Sequence, residues 1–83
     1  MVLYSLSYDL RKNKNYKISY AELEKFKSVR ILESLYSFKK NNINVEALRN
    51  HFNKIMDIDD GLIVMEIIDW ATINTEASPK GLF

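Results

Sequence analysis

The opening stretch alternates between apolar and more polar side chains, and this alternation constrains the fold more than any other feature of the sequence. One set of alternate positions holds Val2, Tyr4, Leu6 and Tyr8, and the other holds Leu3, Ser5, Ser7 and Asp9. A period of two is typical of a β-strand with one face in the core. After a polar stretch at 11–15, residues 16–27 change to helical spacing. The apolar positions of that stretch are Tyr16, Tyr20, Leu23 and Phe26.

The rest of the chain repeats this succession. Residues 28–39 carry apolar groups on both faces, and the change of character near Ser34 predicts either one bent or bulged strand or two short strands. Asn44 is placed to cap a helix over 45–56. Residues 61–70 are almost continuously apolar, which predicts a central strand or one buried on both faces. For the first helix, Asn15 is one candidate cap, and Ser19 with Glu22 would form a capping box one turn later.

The predicted order is strand, helix, one or two strands, helix, strand. It indicates an α+β protein, a ferredoxin-like β-α-β-β-α-β sandwich with two helices on one face of an antiparallel sheet. We expect a single domain over 1–83 with an irregular C-terminal tail from about residue 71. The second sheet face is too apolar to be left in water, which favours a homodimer formed sheet to sheet. Leu82 and Phe83 would dock on the body of the protein or on a partner subunit.

The composition excludes several classes of protein. The 83 residues contain no cysteine, so disulfides and thiolate metal sites are excluded. No apolar run approaches the roughly 20 residues of a membrane helix, and no basic stretch characteristic of a signal peptide precedes the first strand. We therefore expect a cytoplasmic protein with no membrane partner.

The net charge of +1 conceals an uneven distribution. Residues 11–40 hold nine Lys and Arg against three Glu, whereas residues 41–83 hold three against seven Asp and Glu. Such asymmetry indicates an anionic partner for the first half, RNA or DNA among them. Two solvated surfaces that attract each other across a dimer would explain it equally well.

Few residues are placed for chemistry. There is no glycine-rich phosphate loop, and the one histidine, His51, is expected to pack or to be solvated in a helix. Asp9 ends the first strand and is followed by the cations Arg11, Lys12, Lys14 and Lys17. Two copies of Asp9 near a dimer axis could share one Mg²⁺ ion, which would activate water and polarise a phosphodiester. On the residues alone, an ion pair of Asp9 with Arg11 or Arg30 is the simpler interpretation.

The five tyrosines are interleaved with basic residues. They are Tyr4, Tyr8, Tyr16, Tyr20 and Tyr36. Interleaving of this kind can build a surface for stacked bases and phosphates. The spacing fits a role in the core or in a dimer contact better.

Three segments resemble a known superfamily. They are the strand ending "SYDL", the segment "SVRILESLYSF" with Arg30 and Ser34 four residues apart, and the apolar strand "GLIVMEI". In this order they resemble the small CRISPR-associated spacer-acquisition protein (Cas two) and its relative, virulence-associated protein D. The "DWA" after the last strand is similar to a SinR-like branch of the same superfamily. The resemblance covers about residues 2–70.

The resemblance implies a homodimer of ferredoxin-like subunits whose sheets face each other. It also implies that Asp9 lies at the dimer axis as a metal-dependent catalytic residue, with Arg30 and Ser34 near the same cleft. One branch implies a scaffold that holds DNA for an integrase, and the other implies a ribonuclease of toxin type. The segment after "DWATIN" departs from the strand that the CRISPR branch exchanges between subunits.

Two functions follow as hypotheses. The first is a Mg²⁺-dependent endonuclease or endoribonuclease dimer with Asp9, Arg30 and Ser34 as catalytic residues and the cations at 11, 12, 14 and 17 on nucleic acid. The alternative is a homodimeric scaffold or protein-interaction module without catalysis, related to CRISPR adaptation or toxin–antitoxin systems.

Overall fold

A computed structural model describes residues 2–11 and 16–83. In these residues four strands and two α-helices follow the order predicted from the sequence, and a short 3₁₀ helix ends the chain. Their bounds are β1 Val2–Asp9, α1 Lys17–Lys25, β2 Val29–Leu32, β3 Leu35–Lys40, α2 Val45–Asn53, β4 Gly61–Glu66 and the 3₁₀ helix Pro79–Leu82. The α+β class is therefore confirmed.

The four strands form one antiparallel sheet in the order β2-β3-β1-β4. β1 lies in the interior, paired with β3 on one side and β4 on the other. Ser5 faces Ser37 across the β1–β3 pair, and Asp9 faces Gly61 across the β1–β4 pair. The end of β1 that carries Asp9 therefore lies beside the start of β4.

Both helices pack on one face of this sheet. The buried cluster takes Tyr4, Leu6 and Phe38 from the strands, Leu23 from α1, and Leu48 and Phe52 from α2. Leu6, Phe38, Leu48 and Phe52 are fully buried. The alternation in β1 and the helical spacing of the two helices thus supply one continuous core.

The helix starts are set by different residues. The side-chain oxygen of Asn44 accepts a hydrogen bond from the Ala47 N–H at 2.8 Å, which confirms the predicted cap of α2. In α1 the capping box at Ser19 is wrong. Ser19 lies inside the helix, buried, and its hydroxyl donates to the Ile55 carbonyl at 3.1 Å. Asn15, the other candidate cap, lies outside the described residues.

Residues 28–39 contain two strands, not one. β2 and β3 are joined by a tight turn at Glu33 and Ser34, and their register shifts between Arg30 and Leu32. Of the two interpretations of this segment, the pair of short strands is therefore confirmed. Ser34 lies in the turn rather than on the strand that carries Arg30.

The prediction of a central last strand is wrong, because β4 is an edge strand. Its apolar run continues beyond Glu66, where β4 ends. Ile63 is 53% exposed and Ile68 is 93% exposed. A continuous apolar stretch often marks a strand covered on both faces. Here the stretch comprises β4, which lies at the edge of the sheet, and the segment that follows it.

The C-terminal segment, residues 67–83, docks on the body of the same chain. The Ile67 N–H donates to the Leu3 carbonyl, and the Glu76 N–H donates to the Ile31 carbonyl, both at 2.9 Å. Pro79 is buried, and the 3₁₀ helix contacts β2 and β3. Part of the apolar second face of the sheet, expected to meet another subunit, is thus covered by the chain itself. Among the described residues, no helix has the length and apolar character needed to cross a membrane.

Candidate functional site

A cavity of about 630 Å³ brings together the three residues predicted to be catalytic. Asp9 comes from the end of β1, Arg30 from β2 and Ser34 from the turn between β2 and β3. The remaining wall includes three tyrosines, Tyr8, Tyr20 and Tyr36. Residues up to 28 positions apart in sequence, Tyr8 and Tyr36, therefore share one cavity because β3 lies between β1 and β2 in the sheet.

Asp9 makes an ion pair with Arg11. The Arg11 Nε lies 3.2 Å from Asp9 Oδ2, and the two side chains are 58% and 72% exposed. The simpler interpretation of the sequence is thus confirmed for Arg11, whereas Arg30 pairs elsewhere. An exposed pair of this kind contributes little to stability, about 1 kcal/mol at most. The carboxylate therefore stays accessible from solvent.

Arg11 is anchored to the loop before β4. Its backbone N–H donates to Asp60 Oδ1 at 3.0 Å, and its guanidinium donates to the Asp59 carbonyl at 3.1 Å. Gly61 leaves the space that this arrangement needs, since a Cβ at that position would lie 3.0 Å from the Arg11 guanidinium. Arg11 thus connects Asp9 to this loop, and its predicted role of binding nucleic acid stays a prediction.

Asp60, in the acidic turn before β4, organises this corner. One of its oxygens accepts hydrogen bonds from the Arg11 N–H and the Tyr16 hydroxyl, both at 3.0 Å, and the other accepts from the Asp57 N–H at 2.9 Å. Burial acts to raise the pKa of Asp60, but these hydrogen bonds outweigh it, so the pKa lies below its ordinary value. Asp60 therefore fixes the chain just after Asp9.

Arg30 is paired with the C-terminal segment. Its Nε lies 3.1 Å from Glu76 Oε2 and 3.4 Å from the Leu32 carbonyl oxygen. The Arg30 side chain is 46% exposed and that of Glu76 is 59% exposed. No pattern in the sequence indicates this partner, because Glu76 lies 46 positions further along, in a stretch without periodicity.

Ser34 is positioned by the backbone. Its carbonyl accepts a hydrogen bond from the Tyr8 N–H at 3.2 Å, which ties the turn to the end of β1. The residue is partly exposed and lines the cavity. Ser34 therefore lies close to the end of β1 that carries Asp9, as the resemblance implied.

The three tyrosines form an aromatic wall. The rings of Tyr8 and Tyr36 are 6.0 Å apart between centroids and nearly parallel, and those of Tyr8 and Tyr20 are 6.3 Å apart and edge to face. Burial, followed by hydrogen bonds with Tyr20 and Tyr36, raises the pKa of Tyr8 well above its ordinary value. The Tyr8 hydroxyl therefore stays protonated at neutral pH.

Two of the cations predicted to bind nucleic acid, Arg11 and Lys17, do not line this cavity. Lys17 begins α1 and is exposed, but within the described part of the chain it lies outside the cavity lining, as does Arg11. Lys12 and Lys14 lie outside the described residues. His51 packs its ring on Phe26 at 5.6 Å between centroids, as expected for a packing histidine.

One copy of the chain supplies a single carboxylate to a Mg²⁺ ion at Asp9. In residues 2–11 and 16–83, no group of three or more His, Cys, Asp or Glu side chains is arranged to hold a metal. Mg²⁺ usually keeps several waters and binds one or two carboxylates. A single Asp9 is therefore a sparse donor set for Mg²⁺, and Asp9 from a second copy would double it.

Comparison of the chain with known proteins finds no matching family, no matching curated protein and no matching solved structure.

Proposed function

We propose that this protein acts on nucleic acid as a small homodimer with a nuclease-type site in the cavity at the end of β1. The observation that supports the proposal is the convergence of Asp9, Arg30 and Ser34 on one cavity of about 630 Å³. A carboxylate, a guanidinium and a hydroxyl are the groups that metal-assisted phosphodiester cleavage uses.

Each residue has a role in this proposal. The Arg30 guanidinium binds a phosphate oxygen, and the Ser34 hydroxyl donates a hydrogen bond to the same group. Asp9 from each of two copies would hold one Mg²⁺ ion, which supplies a bound water of lowered pKa and polarises the phosphodiester. Arg11 and Asp60 keep the Asp9 carboxylate in position.

The element order also supports the superfamily that the sequence resembles. The described residues run β-α-β-β-α-β, and both helices pack on one face of the sheet, which is the pattern of a ferredoxin-like sandwich. We therefore propose a ferredoxin-like fold of the Cas two and virulence-associated protein D type. A cytoplasmic location is part of the proposal, since a chain without cysteine suits a reducing compartment.

A second function is favoured by the state of the charged groups. Asp9 is paired with Arg11, and Arg30 is paired with Glu76. A site whose charges are already neutralised suits a homodimeric scaffold or protein-interaction module that does not catalyse. Such a module would relate to CRISPR adaptation or to toxin–antitoxin systems.

Cleavage of labelled single-stranded and double-stranded RNA and DNA, with Mg²⁺ or Mn²⁺, tests the first function. Wild type is compared with Asp9→Asn and with a matched control, Glu24→Gln, which removes an exposed carboxylate of α1 outside the cavity. We expect cleavage by wild type and the control and none by Asp9→Asn, because the amide is a poor Mg²⁺ ligand.

The outcomes separate the two functions. Equal cleavage by all three proteins would show that Asp9 is not the metal ligand and would overturn the proposed site. Absence of cleavage by all three, with salt-sensitive binding retained, would favour the scaffold.

A further inference from the structure

The aromatic wall of the cavity has no role in the chemistry proposed above. It consists of Tyr8, Tyr20 and Tyr36, whose rings contact each other within 6.3 Å between centroids. Tyr8 and Tyr36 also pack against the apolar core. Their rings are therefore held by the sheet on one side and line the cavity on the other.

Tyr20 differs from its two neighbours. It projects from α1, is 44% exposed, and does not belong to the apolar residues that pack on the core. A tyrosine that is not needed for the core and lines a cavity offers an aromatic surface to a ligand. The edge-to-face contact with Tyr8 sets the orientation of this ring.

The polar groups around the wall indicate the class of ligand. Ser34 and Arg30, which carry a hydroxyl and a guanidinium, line the same cavity. Ligand sites of about 300 to 1,000 Å³ take small molecules, so a cavity of about 630 Å³ has room for one nucleotide. An aromatic face beside a guanidinium matches a base and its phosphate.

We propose that the cavity takes one unpaired nucleobase, stacked on Tyr20, with the adjoining phosphate at Arg30. The inference rests on the proposed action on nucleic acid and adds the residue, Tyr20, that distinguishes a single strand from a duplex. Both faces of a base within a duplex are covered by its neighbours, so that base cannot stack on a side chain. Tyr20 therefore gives single strands the advantage, without choosing among bases, because every base has an aromatic face.

Binding measured by fluorescence anisotropy tests this role. The probes are a short labelled single-stranded RNA, the matching single-stranded DNA, and a hairpin duplex of the same composition. We expect Tyr20→Leu to weaken single-strand binding by about fivefold to a hundredfold, which is the loss of one stacked base. Tyr20→Phe keeps the ring and should stay within about twofold of wild type.

Two controls guard against a structural effect. Ile18→Ala removes another exposed apolar side chain of α1, 69% exposed, and should leave binding unchanged. Wild type itself gives a readout without any substitution, because a stacked base shifts the Tyr20 ring protons upfield in the NMR spectrum. We expect this shift with the single strands and not with the duplex.

The result that overturns the inference differs from the result that overturns the proposed function. If wild type binds nucleic acid but Tyr20→Leu binds equally well, or if the duplex binds as tightly as the single strands, Tyr20 has no stacking role while the proposed function stands. If wild type binds none of the probes at low salt, the proposed function fails and the stacking role fails with it.

Discussion

Asp9 is held by a short chain of contacts that starts at the loop before β4. Asp60 fixes the Arg11 backbone, and the Arg11 side chain lies against the Asp9 carboxylate. The pairing of Asp9 with Arg11 could be anticipated from their spacing of two residues. The role of Asp60 could not, because it lies 49 residues from Arg11 and only the pairing of β1 with β4 brings them together.

Asp60 should make the stability of the protein sensitive to acid. Its pKa is lowered in the folded state, so its ionised form stabilises the fold above its unfolded pKa of about 3.9, and this contribution is lost as the pH falls through the folded value. We expect wild type to be more stable than Asp60→Asn at neutral pH and the difference to shrink below about pH 3.9.

Urea unfolding of both proteins over a range of pH measures this effect. A difference in midpoint that stays constant from neutral pH into the acid range would contradict the role given to the Asp60 carboxylate.

At the scale of elements, sequence patterns predicted the features that depend on interactions between residues close in sequence. The strand β1 and the Asn44 cap of α2 were predicted correctly, because both depend on residues that are close in sequence. The position of β4 at the edge was not, because an apolar run does not record which strand lies beside it. The sequence also left open whether 28–39 forms one strand or the two strands β2 and β3, because Ser34 is compatible with a bend as well as with a turn.

The C-terminal segment brings a carboxylate to the guanidinium of the candidate site. Glu76 pairs with Arg30 at 3.1 Å and is held on β2 by its own N–H. A phosphate that binds Arg30 would compete with this carboxylate for the guanidinium. We therefore expect the segment to lower the affinity of the cavity for anions.

Glu76→Gln should release Arg30 and strengthen nucleic-acid binding. Since an exposed ion pair contributes about 1 kcal/mol at most, the expected gain is up to roughly fivefold. The amide preserves the size of the side chain, and the backbone hydrogen bond to Ile31 does not depend on the change.

Titration of a labelled single strand measures this gain against wild type and against Glu66→Gln. Glu66 is an exposed carboxylate at the end of β4, outside the cavity, and serves as the matched control. An equal gain in both variants would show a general effect of net charge, and no gain in Glu76→Gln would remove the segment from the control of Arg30.

At the scale of the whole molecule, the C-terminal segment covers part of the second sheet face. The cavity at one end of β1 stays open. The sequence placed most of the positive charge in residues 11–40, and this range supplies Arg30 and Tyr20 to the cavity. The sheet order brings the three predicted catalytic residues together. Periodicity and spacing do not contain that order, and only the resemblance implied a shared cleft.

We propose that nucleic acid binds in this cavity. The most direct measurement is a titration of ¹⁵N-labelled protein with a short single strand, followed through the amide resonances. We predict shifts of the amide resonances at the ends of β1 and β2, at the turn with Ser34 and around Tyr20. We expect few shifts at a second groove, which lies between α2 and β4 and is lined by residues such as Arg49 and Leu62. Shifts confined to that groove, or no shifts at all, would contradict the proposal that nucleic acid binds in the cavity.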